Sequence, residues 1–228
     1  MTFDMIKSSG IWKITGNGKQ LRVGVATFAR LQDVYISSTF YPNHIDTGIK
    51  FDIKDSSNQG IDFAIVSGPG LPAHTAASAT GGVLYYNENS DSFTAAALGS
   101  TYNGASQTPI TTYGHEQIPL DDTKIGLISD GATYSVELWK WNGGSPTLYD
   151  TYTVTLPKKP YLNTELSVSS FPSITAPTKS GLMSTAGTGG TLHITWTIPS
   201  GLSSSEVSFY CYGNGSGTNT KDVQVSVA

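Results

Sequence analysis

Cysteine is almost missing from this chain. Cys211 stands alone, so no intramolecular disulfide can form and no multi-cysteine metal site can be built. It alternates with Val207 and Phe209, the setting of a small buried hydrophobe rather than a reactive thiol. Charge is scarce too: Asp, Glu, Lys and Arg make up 13% of the residues, against about 25% in ordinary soluble domains. The 13 Lys and Arg are scattered, Lys158-Lys159 is their single adjacent pair, and the formal net charge is −4. A nucleic-acid or anionic-membrane partner needs a basic stripe, so neither is expected. No run reaches the roughly 18 apolar residues of a membrane span, and Asp4 interrupts the place where a signal peptide carries its apolar region. The chain is therefore either intracellular, or a leader was removed or never included.

What is abundant is Gly, Ser and Thr, the composition of strands and tight turns. The 228 residues suit one medium domain followed by a small one. Strand candidates follow one another with turn residues between them: Ile11–Thr15, Leu21–Phe28, Val34–Phe40, Ile49–Ile53, Ile61–Val66, Val83–Tyr86 and Lys124–Ile128. Gly16-Asn17-Gly18 and Asn58-Gln59-Gly60 punctuate them as turns. The Ala-rich pieces around Ala76–Ala79 and Phe93–Leu98 are the nearest approach to helix, a turn or two at most. The stretches Ser67 to Gly82 and Tyr86 to Gln117 are too long for hairpins, and are expected to cross between sheets or carry loops.

Residues 132–156 give the sharpest local signal, two period-2 runs around a five-residue turn, which predicts a β-hairpin. Alternation puts Tyr134, Val136 and Leu138 on one face with Leu148, Tyr152, Val154 and Leu156. It puts Trp139, Trp141 and Tyr149 on the other. The first face reads as core. The second carries aromatics that make a candidate ligand- or partner-binding site: rings lying on a sheet face can pack against another unit, join a protein partner or a second copy, or stack on a carbohydrate.

The texture changes after Leu156. Pro157, Pro160, Phe171-Pro172 and Pro177 remove ladder donors, making a stiff connector, and the boundary is placed so that residues 1–158 form a β-sandwich domain and 159–228 a smaller β domain. In the second unit Leu192, Ile194, Trp196 and Ile198 share a face, and Val223, Val225 and Val227 end the chain on an alternating run, as in a unit cut from something longer. That last edge is open to pairing with another chain.

Thr191-Leu-His-Ile-Thr-Trp-Thr-Ile-Pro-Ser-Gly resembles the early strand and Pro turn of immunoglobulin-like and fibronectin type III-like modules. Gly68-Pro-Gly-Leu-Pro, Leu156-Pro-Lys-Lys-Pro and Phe171-Pro172 are similar to patterns in tandem modules of large bacterial extracellular proteins. The resemblance implies an all-β chain, an antiparallel Ig-like β-sandwich followed by a smaller Ig/FnIII-like one, secreted or at the cell surface. It implies a spacer, adhesive or assembly role with no catalytic residues; the paired cysteines of antibody domains are missing.

Chemistry-bearing constellations are sparse. There is no Gly-x-Ser-x-Gly elbow, and His44, His74, His115 and His193 sit in no arrangement with a serine and a carboxylate. No His-x-x-x-His or Cys-x-x-Cys pair is present. Asp52, Asp55, Asn58 and Asp62 offer oxygen donors around a glycine turn, but miss the EF-hand spacing, and a solvated turn is the expected reading. No cofactor or metal is expected. The functional expectation is a non-catalytic extracellular module, with a carbohydrate-binding module and a viral or phage structural protein as alternatives.

Overall fold

The computed structural model describes residues 5–8, 11–14, 21–32, 44–55, 59–73, 82–87, 92–104, 116–176, 178, 193, 195–200, 207–209 and 225–227. The described chain is mainly antiparallel β-structure. By internal contact it divides into two compact units, Met1–Ala29 with Asp46–Asn163, and Arg30–Ile45 with Thr164–Ala228. Sequence texture puts the change of unit near Lys159; by contact it falls after Asn163, with residues 30–45 grouped with the C-terminal part.

The strands begin with β1 (Met5–Ser8) and β2 (Ile11–Ile14), which pair with each other. Pattern reading finds the second of these and misses the first. A three-stranded sheet follows in the order β3 (Arg22–Gln32), β4 (His44–Lys54), β8 (Gln117–Pro119). The largest sheet has five strands in the order β10 (Ser145–Thr155), β9 (Thr133–Asn142), β5 (Phe63–Ser67), β6 (Gly82–Asn87), β7 (Ser92–Ala95). The turn at Gly60 therefore carries the chain from one sheet to the other. The long connection after Ser67 instead returns it to the neighbouring strand of the same sheet.

Alternation in β4 sends Ile49, Phe51 and Ile53 inward and leaves Lys50 and Lys54 at the surface. With Ile118 of β8 they join Ala64, Val66, Leu84, Phe93, Ala95, Tyr134, Val136 and Leu138 of the five-stranded sheet in one buried cluster. Tyr134 meets Phe51 edge to face at 5.8 Å, and its hydroxyl donates to the Pro69 carbonyl at 3.0 Å. Burial pushes that phenol up to about 12.

Three local expectations are corrected. Lys124–Ile128 is not a strand: Asp122–Ile125 forms a single helical turn, α1, capped by Asp121, whose carboxylate accepts from the Lys124 amide at 2.9 Å. Ile125 and Ile128 are both buried, and their three-residue spacing fits a helical turn better than a pleat. Phe93–Leu98 is not helical, since Ser92–Ala95 is β7. The β9–β10 hairpin exists, but its loop is Gly143-Gly144 alone, with φ of +63° and +107°. Two left-handed positions in a row make the primed turn that matches strand twist, and glycine adopts both without steric cost. The expected strand Val34–Phe40, the Ala76–Ala79 piece and the Gly16-Asn17-Gly18 turn lie outside the described residues.

The second unit contains β11 (Ser173–Ala176) paired with β12 (Thr195–Thr197), and β13 (Val207–Phe209) paired with β14 (Val225–Val227). Trp196 is half-buried opposite Ile174, while Ile198 is largely exposed. Leu192 and Ile194 are outside the described residues.

Candidate functional site

The aromatic site begins at β5, whose run Phe63-Ala64-Ile65-Val66 is buried on both sides. Ala64 and Val66 belong to the main cluster. Phe63 and Ile65 point the other way, with Val83, Tyr85 and Ala96, into a second one. Strand β9 lies beside β5 with Trp139 opposite Phe63, so Trp139 and Trp141 are delivered to that second cluster.

Phe63 is the hub. Tyr102 stacks on it at 4.2 Å with 20° between the planes, Trp139 lies nearly parallel at 6.1 Å, and Trp141 stands edge-on at 6.3 Å. Tyr102 and Trp141 close the ring set edge to face at 5.4 Å. Burial, and secondarily the Asp62 carboxylate, raises the Tyr102 phenol. Asp62 also accepts from the Trp141 amide at 2.7 Å, and Glu137 from the Trp139 indole at 3.2 Å. Gly104, at φ +77°, presses so closely on Trp141 that a β-carbon there would fall on the indole nitrogen. The segment after β7 thus folds over the tryptophans, which are half-buried.

Tyr149 is not part of this set. A bulge between Leu148 and Asp150 breaks simple alternation in β10 and sets Leu148 opposite Trp139. Leu148, expected on the core face, is 47% exposed on the tryptophan face. The Tyr149 ring lies instead under the Lys140 ammonium, 4.6 Å from its centroid, and its hydroxyl donates to Gln59 Oε1 at 3.0 Å. Lys140 alternates with Trp139 and Trp141, so the bulge has reversed the faces of Leu148 and Tyr149. Sequence reading also missed Phe63 as the base of the site. The available signal was the uninterrupted apolar run in β5, the mark of a strand buried on both faces.

The oxygen donors around Gly60 are dispersed on other duties. Asp52 pairs with Arg22 at 2.5 Å, Asp55 accepts from the Gln59 amide at 2.8 Å, and Asp62 serves Trp141. Asn58 lies outside the described residues, among which no three His, Cys, Asp or Glu side chains converge. His44 and His193 are exposed; His74, His115 and Cys211 lie outside the described residues. No described helix is long and apolar enough to cross a membrane.

One further construction stands out. From Leu156 to Asn163 the chain after β10 is strapped onto the first unit. Leu156 and Pro160 are buried, and Leu162 packs on the main cluster. Asp130 takes the Lys158 ammonium at 2.7 Å and the Lys159 amide at 2.9 Å, which holds the carboxyl of Asp130 below its ordinary range. Asn163 ends the strap. Its Oδ1 accepts from the Thr47 amide and hydroxyl at 3.1 and 3.2 Å, its Nδ2 donates to the Leu120 carbonyl at 2.9 Å and to Asp122 at 3.0 Å, and its own amide donates to Asp122 at 2.6 Å. The second unit holds an open cavity of about 510 Å³, lined by Val168, Phe171, Ile198 and Pro199 with three hydroxyl residues. The chain matches no protein-family model, no curated protein and no solved structure.

Proposed function

We propose that this chain is a non-catalytic structural module of a bacterial surface or secreted protein, a spacer whose first unit is an Ig-like β-sandwich and whose second is a smaller one. The single buried cluster drawing on both sheets supports the sandwich reading. The half-buried Trp196 opposite Ile174 accords with the fibronectin-like reading of the second unit.

The observation that carries the spacer role is the clamp at Asn163. The strand that leads out of the first unit toward Thr164 is β10, an outer strand of its sheet among the described residues. Tension applied from Thr164 onward would unzip such a strand one bond pair at a time. The five hydrogen bonds of Asn163 intercept that tension and pass it to Thr47, Leu120 and Asp122, which must yield together. Packing of Trp139 and Trp141 around Phe63 favours a structural use of those rings over stacking on a sugar.

Force spectroscopy on the full chain, held by its ends, tests this. Asn163→Ala is expected to lower the unfolding force of the first unit well below the wild-type value. Equal forces in the two proteins would remove the load-bearing role.

A further inference from the structure

The outer edge of β10 has a definite hydrogen-bonding pattern. The Leu156 amide donates to the Ala132 carbonyl at 2.8 Å, and the Leu156 carbonyl accepts from the Gly131 amide at 2.9 Å. Leu156 therefore turns its backbone toward the β9 side. In an antiparallel ladder this direction alternates, so Tyr152 and Val154 face β9 as well, while Thr151, Thr153 and Thr155 turn their N–H and C=O groups outward. All three threonines are exposed, and among the described residues no strand lies beyond β10.

That edge is closed at both ends and open between them. The Asp150 carboxylate accepts from the Thr151 amide at 2.8 Å, occupying the first outward donor. Pro157 has no N–H to offer. Thr153 and Thr155 keep both outward groups, in a stretch with no lysine, no proline and no charge, which is how an edge looks when it is not guarded against pairing.

We infer that this edge joins a second copy of the same chain, the two β10 strands running antiparallel about a two-fold axis at Val154. In that register Thr153 of each copy lies opposite Thr155 of the other and exchanges both backbone bonds with it, four in all. Val154 meets Val154, and Tyr152 meets Leu156. Tyr152 and Val154 already pack on the main cluster, so the junction prolongs its apolar face. The threonines pair across the opposite face, a favourable cross-strand combination. The register ends at Leu156, because Pro157 and Lys158 form a bend and the Lys158 ammonium is held by Asp130. A two-fold at Thr153 would need the Thr151 amide that Asp150 holds, which selects Val154 as the centre. Because the junction is small, association is of the weak class. It does not depend on the clamp at Asn163.

The test is sedimentation of the full chain over micromolar to millimolar concentrations, with two kinds of variant. The wild type is expected to form dimers as concentration rises. Thr153→Pro removes an N–H that points away from β9, so the fold and melting temperature should be kept while dimerisation weakens about tenfold or more. In a Cys211→Ser background, Val154→Cys should cross-link under mild oxidation, because residue 154 faces itself at a non-hydrogen-bonded position where a disulfide fits. Thr153→Cys should not. A monomer at every concentration, dimers untouched by Thr153→Pro, or equal cross-linking at both cysteine positions would each overturn the inference.

Discussion

The two faces of the five-stranded sheet are built from the same strands and closed in different ways. One face meets a second sheet, and its residues, from Ala64 and Val66 to Tyr134, Val136 and Leu138, are buried almost completely. The other carries Phe63, Ile65, Val83 and Tyr85, and is covered by the chain segment that brings Tyr102 and Gly104 over the tryptophans. Among the described residues the second cover is a loop segment rather than a sheet, and Trp139 and Trp141 stay half-buried. Large rings on the second face compensate for a thin cover, since each buries much area and packs edge to face with its neighbours. Aromatic richness on a sheet face is thus a consequence of how that face is closed, before it is a sign of a ligand.

Substitutions can break or sharpen this contrast. The largest effect is expected on the closed face: Leu138→Ala leaves a cavity between two sheets that cannot collapse, and should cost about 2–5 kcal/mol in urea unfolding. Trp141→Ala, on the face covered by one segment, should cost about 1–3 kcal/mol, because part of the ring is already in water and the segment at Tyr102 can follow it inward. A loss at Trp141 equal to that at Leu138 would mean that the second face is as closed as the first.

The smallest effect concerns the outward side of the three-stranded sheet. The Glu116 side chain is 6% exposed, with Lys50 and Lys54 ammonium groups at 3.8 and 3.9 Å. Burial raises its carboxyl above the ordinary 4.5, Asp52 adds to the rise, and the two lysines and the Ile53 amide offset only part of it. The folded state then holds this proton more tightly than the unfolded state. Stability therefore declines as pH rises from about 4.5 through the raised value, and stays lower above it. Glu116→Gln removes that decline. Thermal melts should show the variant gaining a few degrees at neutral pH and nothing near pH 4; a gain that persists in acid would contradict the assignment.

Much of this was readable in the residues. Short apolar runs between turn residues located β4, β5, β6, β9 and β10, because strand pleat and turn conformation are local properties, although the hairpin turn read as five residues is Gly143-Gly144 alone. The strand misassigned at Lys124–Ile128 shows the limit of such reading. Five residues with two isoleucines satisfy a pleat or a turn of helix, and the Asp121 cap decided between them. For the candidate site, Trp139 and Trp141 were found on their correct face, while Tyr149 and Leu148 were exchanged by one inserted residue in β10.

The amino-acid order by itself determined that the chain is antiparallel β, that its single cysteine forms no internal bridge, and that β9 carries two tryptophans on the face opposite Tyr134. These follow from backbone geometry and composition, which act over a few residues. Tertiary structure alone decided that Phe63 lies beneath the tryptophans, that Asn163 gathers Thr47, Leu120 and Asp122, and that among the described residues no strand lies beyond β10. Each joins residues far apart in the chain or depends on which strand has no neighbour, and strand order is set by how whole sheets bury their faces, which no local pattern encodes.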